Sequence, residues 1–175
     1  MIKTREIIQS KKVNLLLHRL AYQLYENYGD FSNTALISLQ PRGINFGKVL
    51  LATVEEITKT PIEYGELDIT LFRDDFGRNK SPLIPSKTNI DFQIEDKKIV
   101  IIDDVLYTGR SIRAAMEAIN NMGRPQKIEL LVLIDRRFNR EIPIQPDYVG
   151  EEVDTRANDK VKVDMKKPNV IIETI

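Results

Sequence analysis

Apolar residues recur at helical spacing in the first part of the chain. Within residues 12–26 they stand three or four positions apart, at Val13, Leu16, Leu17, Leu20, Ala21 and Leu24. This spacing is typical of one buried face of a helix. A short apolar run at 35–39 stops at Gln40-Pro41-Arg42-Gly43, after which the helical spacing resumes. The pattern predicts a helix, a buried strand, a tight loop and a second helix.

An alternating segment and a continuous apolar run predict the next two strands. Apolar and polar residues alternate from Leu67 to Leu71, which predicts an extended strand. The β-branched run at 99–102 is typical of a parallel strand covered on both faces. Asp103 and Asp104 follow it and are expected to end the strand.

A third helix and further strands complete the pattern. Ser111 is expected to cap this helix at its start, and Gly123 is expected to end it. Strands are predicted at 128–134, 147–150, 160–164 and 170–175. Because strand and helix patterns alternate, the sequence predicts an α/β protein, with an open, mostly parallel twisted sheet flanked by helices. We expect a single domain over residues 1–175.

Composition excludes several classes of protein. The 175 residues include 26 Lys plus Arg and 26 Asp plus Glu, so no net field directs the protein to nucleic acid or a membrane. Without Cys and with one His, thiol nucleophiles, disulfides and Cys/His zinc sites are excluded. No apolar segment resembles a signal peptide or a membrane helix, so we expect a cytoplasmic protein.

The residues after the 99–102 run have the features of an anion site. Residues 108–111 precede the third predicted helix and combine two hydroxyl groups, an arginine and a glycine. A helix N-terminus adds main-chain N–H groups and the positive end of the helix dipole. Ligands of open parallel sheets bind at the carboxyl ends of the strands. The segment therefore predicts a phosphate site, although Ser111 could simply cap a helix.

Asp103 and Asp104 precede this segment. Consecutive side chains of a strand leave on opposite sides, so we do not expect the two carboxyls to be buried together and share a proton. They could instead accept hydrogen bonds from the vicinal hydroxyls of a sugar, directly or through hydrated Mg²⁺. The alternative is that two polar residues simply end a strand.

Four segments carry a resemblance to a known family. Residues 99–111, IVIIDDVLYTGRS, resemble the 5-phosphoribosyl-1-pyrophosphate (PRPP) signature of type I phosphoribosyltransferases. Residues 65–75, 121–136 and 140–150 resemble pyrimidine-operon attenuator proteins that also act as uracil phosphoribosyltransferases. The resemblance implies the type I fold and transfer of phosphoribose from PRPP to uracil, giving UMP and pyrophosphate, with Mg²⁺ as cofactor. Two alternatives stay open: an RNA-binding attenuator whose transferase site senses nucleotides, and a transferase for another base.

The resemblance also implies roles for individual residues. Asp103 and Asp104 would hold the ribose hydroxyls, support positive charge at the anomeric carbon and contact Mg²⁺ through PRPP and water. The residues implied to bind PRPP are Pro41, Arg42, Gly43, Arg73, Val105, Leu106, Tyr107, Thr108, Gly109, Arg110 and Ser111. Most relatives have Lys-Thr-Arg-Gly where this chain has Gln40-Pro41-Arg42-Gly43. Because X–Pro lowers the cost of a cis bond to roughly 0.5–1 kcal/mol, we predict a cis bond between Gln40 and Pro41.

A lid and a base site follow from the same resemblance. The polar segment at about 72–92 matches a hood that covers PRPP, with Arg73 meeting the pyrophosphate. Its length also fits a disordered loop. Uracil would lie near Asp135 and Arg136, and the main chain around Val161 would contact the pyrimidine edge. These side chains could equally be structural.

Relatives bind leader RNA through basic residues that this chain mostly lacks. The positions that match their first-helix surface are Asn14, His18, Arg19 and Tyr22, of which only Arg19 is kept. The second group matches Arg140, Gln145 and Glu151, of which only Arg140 is kept. Since affinity for RNA grows with each neutralised phosphate, we predict that leader RNA binding is weak or lost. The family also implies a homodimer or homotetramer.

Overall fold

The computed structural model describes residues 3–75, 84–156 and 158–174. In chain order, its elements are β1 (Lys3–Ile8), α1 (Ser10–Tyr28), β2 (Thr34–Leu39), α2 (Gly43–Thr58), β3 (Glu63–Leu67), a 3-10 helix (Thr70–Phe72), β4 (Lys98–Leu106), α3 (Arg110–Met122), β5 (Lys127–Arg137), β6 (Tyr148–Asp154), β7 (Asp159–Asp164) and β8 (Asn169–Thr174).

The main sheet has five parallel strands in the order β3-β2-β4-β5-β6. A second, antiparallel sheet has the order β1-β8-β7. The predicted α/β fold with an open, mostly parallel sheet is therefore confirmed. No helix in the described residues is long and apolar enough to cross a bilayer.

Alternating side chains of the central strands create an apolar layer on each face of the sheet. Leu36 and Val100 belong to a buried cluster with residues of α1 and α2. Their chain neighbours Ile37 and Ile101 belong to a second cluster with residues of α3. Helices thus cover both faces, which explains why the run at 99–102 has no polar position.

The order of the strands reverses between β2 and β4. The chain passes from β2 through α2 to β3 on one side, and then returns to place β4 on the other side of β2. In open α/β sheets, the crevice at such a switch point, outside the carboxyl ends of the strands, is the usual ligand site. Residues 40–42 after β2 and residues 107–109 after β4 both lie at this point.

Two strand predictions need correction. β4 continues to Leu106, whose partner in β5 is Asp135, so the two aspartates lie within the strand and do not end it. The strand expected through Leu71 ends at Leu67, and Leu71 lies in the 3-10 helix with 62% of its surface exposed. Asp68 causes this turn, because its Oδ1 accepts hydrogen bonds from the N–H and the hydroxyl of Thr70 at 3.0 and 2.6 Å.

The start of α3 also differs from the prediction. Gly109, not Ser111, is the N-cap residue, with φ of +90°. Glycine adopts this left-handed conformation without the strain that a side chain would cause. The helix ends at Met122 with Gly123 as its C-cap, as predicted.

The strand β1 has no apolar alternation to reveal it. Four of its six residues are exposed, and its antiparallel pairing with β8 defines it. This pairing joins positions at opposite ends of the sequence, so no local pattern could predict it.

Candidate active site

A cleft of about 1250 Å³ opens at the switch point of the main sheet. Its described walls are Leu39, Gln40, Pro41, Arg42, Ile69, Arg73, Asp74, Asp75, residues 103–112, Arg136 and residues 158–161. The cleft therefore brings together most residues singled out in the sequence. Among the residues expected to bind PRPP, Mg²⁺ or uracil, Gly43 and Asp135 are the two that are not among its described lining residues.

Asp103 and Asp104 lie together at the bottom of the cleft. The N–H of Asp104 donates a 2.9 Å hydrogen bond to Oδ1 of Asp103. Burial raises the pKa of the Asp103 carboxyl well above its ordinary value, and the charge of Asp104 raises it further, whereas Arg42 lowers it. Burial also raises the pKa of Asp104, against the opposing effect of Arg42. Asp104 is buried, with 7% of its surface exposed, and Asp103 is half-buried, so solvent reaches the two neighbouring carboxyls only in part.

Gly43 acts beneath the cleft, where α2 begins. A Cβ atom at this position would stand 2.9 Å from the carbonyl oxygen of Ile102 and 3.2 Å from Oδ1 of Asp103. Only glycine lets the helix approach β4 this closely. The helix N-terminus is therefore placed next to the half-buried Asp103, where the helix dipole opposes the free-energy cost of the negative charge.

The loop after β2 is held at both sides. The bond between Gln40 and Pro41 is cis, as predicted. The N–H of Gln40 donates to the carbonyl oxygen of Leu67 at 2.9 Å, and its Nε2 donates to that of Lys87 at 2.8 Å. These contacts leave the exposed Arg42 side chain at the start of α2, close enough to the two aspartates to lower their pKa.

Arg136 connects the loop after β4 with the turn before β7. Its guanidinium carbon lies 3.8 Å from the centre of the Tyr107 ring. Its Nε donates to Oγ1 of Thr155, and Nη2 donates to the carbonyl oxygen of Asp159, both at 2.9 Å. The buried Arg136 therefore holds the turn before β7, and with it the wall formed by Val161, against the loop after β4.

Asp135 binds Arg140, a residue that the family resemblance implies for an RNA surface. Their carboxylate and guanidinium form an ion pair in which the side chains are only 10% and 22% exposed, respectively. Arg140 also donates to the carbonyl oxygen of Tyr107. The pair bridges a turn at which Phe138 has φ of +64°, and nothing in the local sequence signals that geometry.

The start of the expected hood lies at the cleft entrance. Arg73 donates two hydrogen bonds to Asp75, from Nε at 2.8 Å and from Nη2 at 2.6 Å. Asp74 pairs with Arg110. The predicted hood at 72–92 is only partly described, because residues 76–83 lie outside the described residues.

Arg19, the one residue of the expected RNA surface that α1 keeps, is engaged within the protein. Arg19 donates to the carbonyl oxygens of Val149, at 2.9 Å, and Gly150. Lys12 forms a 2.9 Å ion pair with Glu151. Both contacts join α1 to β6, so the positive charges of Arg19 and Lys12 already have partners within the protein.

The donor set at the bottom of the cleft fits Mg²⁺ only in part. Within the described ranges, no group of three His, Cys, Asp or Glu side chains converges on a metal position. Mg²⁺ bound with a phosphorylated substrate commonly takes one or two carboxylates and completes its shell with substrate oxygens and water. Asp103 and Asp104 offer this smaller set of carboxylates.

Comparison with known proteins identifies the family. The phosphoribosyl transferase domain matches residues 3–166. Bifunctional protein PyrR of Gloeothece citriformis is 41% identical over 158 residues, which cover 90% of this chain and 88% of the relative. PyrR of Acetivibrio thermocellus is 42% identical over 163 residues, with 93% and 88% coverage.

Solved structures of distant relatives share the fold. Hypoxanthine phosphoribosyltransferase of Trypanosoma cruzi superposes with a TM-score of 0.74, covering 96% of this chain and 95% of that one at 14% identity. The sequence identity with the PyrR proteins carries the closer assignment. The chain therefore belongs to the phosphoribosyltransferase family and, within it, to the PyrR family of pyrimidine-operon attenuators that its sequence resembles.

Proposed function

We propose that the protein transfers the phosphoribosyl group of PRPP to uracil, giving UMP and pyrophosphate. In this reaction the bond between the anomeric carbon and the pyrophosphate oxygen breaks, a bond to the uracil ring nitrogen forms, and that nitrogen releases its proton to solvent. The observation that carries the proposal is that one cleft is lined by the adjacent Asp103 and Asp104, by Arg42 and Arg73 from separate loops, and by the N-terminus of α3. These groups match the hydroxyls, the pyrophosphate and the 5′-phosphate of one PRPP molecule.

Asp103 and Asp104 accept hydrogen bonds from the ribose hydroxyls in this proposal. Their negative charge stabilises the positive charge that develops at the anomeric carbon as the pyrophosphate leaves. With substrate oxygens and water they would hold Mg²⁺, which supplies neutralisation of the pyrophosphate charge. Their raised pKa is relieved when cationic groups surround them, because a nearby positive charge favours the ionised carboxylate.

Arg42 and Arg73 bind the pyrophosphate. Arg42 is exposed beside the aspartates, whereas Arg73 is engaged with Asp75. Binding of pyrophosphate at Arg73 therefore requires that the guanidinium leave Asp75 or contact both groups. A hood that closes over PRPP would also exclude water and so limit hydrolysis.

The loop after β4 binds the 5′-phosphate, and the base lies toward β7. Residues 108–111 supply N–H groups and hydroxyls at the N-terminus of α3. The uracil ring then meets the wall formed by Arg136 and Val161. Asp135 takes no direct part in this arrangement, since its carboxylate binds Arg140.

A transfer assay tests the function. Purified protein with PRPP and Mg²⁺ is offered uracil, cytosine, adenine, guanine or hypoxanthine in turn, and nucleotide products are separated by chromatography. We expect UMP from uracil and no comparable product from the other bases. Absence of UMP would contradict the transferase, and faster conversion of another base would contradict uracil as its substrate.

We propose further that the protein binds leader RNA weakly compared with its relatives. Arg19 donates to main-chain carbonyl groups of β6, and Lys12 is paired with Glu151. Arg140 is directed inward to Asp135. With few free cations on these elements, few RNA phosphates are neutralised and little counterion is released.

A further inference from the structure

The three residues 140–142, here called the clamp segment, contact the loop after β4 from outside the cleft. The two Nη groups of Arg140 donate to different partners, one to the carbonyl oxygen of Tyr107 and the other to the carboxylate of Asp135. Asp135 pairs with Leu106 in the last residue pair between β4 and β5, so it belongs to the main sheet. Arg140 thus ties the first peptide of the loop to the main sheet.

The rest of the clamp segment contacts the next loop residues. The carbonyl oxygen of Thr108 accepts hydrogen bonds from the N–H groups of Glu141 and Ile142 at 3.0 and 3.2 Å. Glu141 also pairs through its carboxylate with Arg110. A Cβ built on Gly109 would stand 3.5 Å from Cβ of Ile142 and 3.6 Å from Cδ of Arg140, so the clamp packs directly on this glycine.

These contacts set the direction of the peptide groups. In a planar trans peptide, the C=O and N–H groups point in opposite directions. The carbonyl groups of Tyr107 and Thr108 point to the clamp segment, which is not among the residues that line the cleft. The N–H groups of the same two peptides, which belong to Thr108 and Gly109, therefore point away from the clamp segment, and both residues line the cleft.

We infer that Arg140 is a positioning residue for the 5′-phosphate: it holds residues 107–109 so that the N–H groups of Thr108 and Gly109 face the cleft. This inference rests on the proposed function and extends it to a residue that does not touch the substrate. The family resemblance implies an RNA contact at the matching position of relatives. In this chain the guanidinium instead acts on the phosphate loop, and ligands that carry a 5′-phosphate depend on it.

The variant Arg140→Met tests the inference, because it keeps an unbranched apolar stem on Gly109 and removes both donors. Dissociation constants of UMP, ribose 5-phosphate and pyrophosphate are measured by calorimetry. We expect affinity for UMP and ribose 5-phosphate to fall about 10- to 100-fold, as misplacement of binding groups by about 1 Å has effects of this size. Pyrophosphate, which is bound by Arg42 and Arg73, should keep its affinity.

Arg137→Met is the matched control. Arg137 belongs to the same turn, is 45% exposed and pairs with Asp154 and Glu152 on β6. We expect this variant to bind all three ligands as the wild type does. If Arg140→Met does not fold, Arg140→Lys is used instead. It keeps a cation beside Asp135, but one ammonium group replaces the two donor groups of the guanidinium. We expect a smaller loss of affinity that is confined to the ligands with a 5′-phosphate.

Two results would overturn the inference. One is wild-type affinity for UMP in the folded Arg140 variant, and the other is an equal loss for UMP and pyrophosphate, which would indicate a general structural role. In both cases the wild type still forms UMP, so the proposed function survives. A wild type that binds neither UMP nor PRPP would contradict the proposed function, and the positioning role with it.

Discussion

The main-chain N–H of Asp104 donates to Oδ1 of Asp103 across 2.9 Å, which links two neighbouring acids of one strand through the peptide between them. Burial raises the pKa of both carboxyls, and for Asp103 the charge of Asp104 adds to the effect. Groups placed in this way favour binding of cations and hydroxyl groups at a cost in stability of the fold. Activity and stability should therefore respond oppositely to their removal.

The first prediction concerns stability and pH. A carboxyl whose pKa is raised by folding stabilises the fold at low pH, and this contribution is lost as pH rises through its folded pKa. Asp103→Asn removes that loss and keeps an oxygen that can accept the Asp104 hydrogen bond. The melting temperature of the variant should therefore exceed that of the wild type by an amount that grows as the pH rises above about 4, the ordinary carboxyl pKa. Each 1 kcal/mol corresponds to about 2–4 °C for a chain of this size.

Asp30→Asn gives the opposite trend and is the control for this experiment. Hydrogen bonding from Ser32 lowers the pKa of Asp30, so its contribution to stability is present above the ordinary carboxyl pKa and lost as pH falls. The melting temperature of Asp30→Asn should thus fall below that of the wild type at neutral pH and match it in acid. A constant difference for Asp103→Asn across the range would contradict the prediction.

The second prediction concerns catalysis. Asp104→Asn removes a negative charge from the carboxyl proposed to support positive charge at the anomeric carbon. We expect kcat/KM for UMP formation to fall about 100- to 1000-fold, the range found when one preorganised electrostatic group is removed. Initial rates at saturating Mg²⁺ measure the change. Turnover equal to that of the wild type would show that this carboxylate is not required.

The third prediction concerns the contact between Arg73 and Asp75. The two side chains are 39% and 36% exposed, and exposed pairs contribute about 0.2–1 kcal/mol. Asp75 competes with pyrophosphate for the Arg73 guanidinium. Asp75→Asn weakens this competition and removes a negative charge from the cleft entrance, so pyrophosphate affinity should rise by up to about 5-fold. Titration calorimetry measures the change. Asp91→Asn, at an exposed acid that is not among the described lining residues of the cleft, should have no effect.

The fourth prediction separates two adjacent arginines. Arg136→Lys cannot keep both the 2.9 Å contacts to Thr155 and Asp159 and the stacking on Tyr107, because an ammonium group is not planar. We expect the KM for uracil to rise about 10-fold with a small change in the KM for PRPP. Arg137→Lys, at the exposed neighbour, should leave both constants unchanged. A change in the KM for PRPP alone would contradict the placement of Arg136 beside the uracil ring.

The fifth prediction concerns RNA. A gel-shift titration with a pyrimidine leader stem-loop at about 0.15 M salt should show weak binding with a shallow salt dependence, since few phosphates are neutralised. Glu151→Arg removes the partner of Lys12 and reverses one charge, so it should strengthen binding and steepen the salt dependence. Tight binding by the wild type would contradict the proposal that this surface has lost its affinity.

Local sequence patterns were sufficient for most of the fold, whereas residues of the cleft such as Arg42, Arg73 and Arg136 were indicated by the resemblance to a known family. The apolar run at 99–102 and the glycine before α3 both indicate β4 and its loop, because burial on two faces and a left-handed turn each demand particular residue types. Contacts between residues far apart in the sequence could not be predicted from local patterns. β1 depends on β8, and the ion pair of Asp135 with Arg140 depends on how the turn at Phe138 folds back.

The end of β3 shows a different limit. Alternation continued to Leu71 in the sequence, but the hydrogen bonds from Thr70 to Asp68 turned the chain into a 3-10 helix. Hydrophobic alternation predicts where a strand is possible, and one side-chain acceptor near its end can override that tendency.

The pairing of β1 with β8 has a consequence for how the protein matures during synthesis. Lys3 is opposite Thr174, and β8 in turn pairs with β7, which contributes Val161 to the cleft wall. The three-stranded sheet therefore cannot close until residues 169–174 have left the ribosome, whereas the phosphate loop between β4 and β5 can form much earlier. A nascent chain would form the end of the cleft proposed to bind the 5′-phosphate first, and the end proposed to bind the base last.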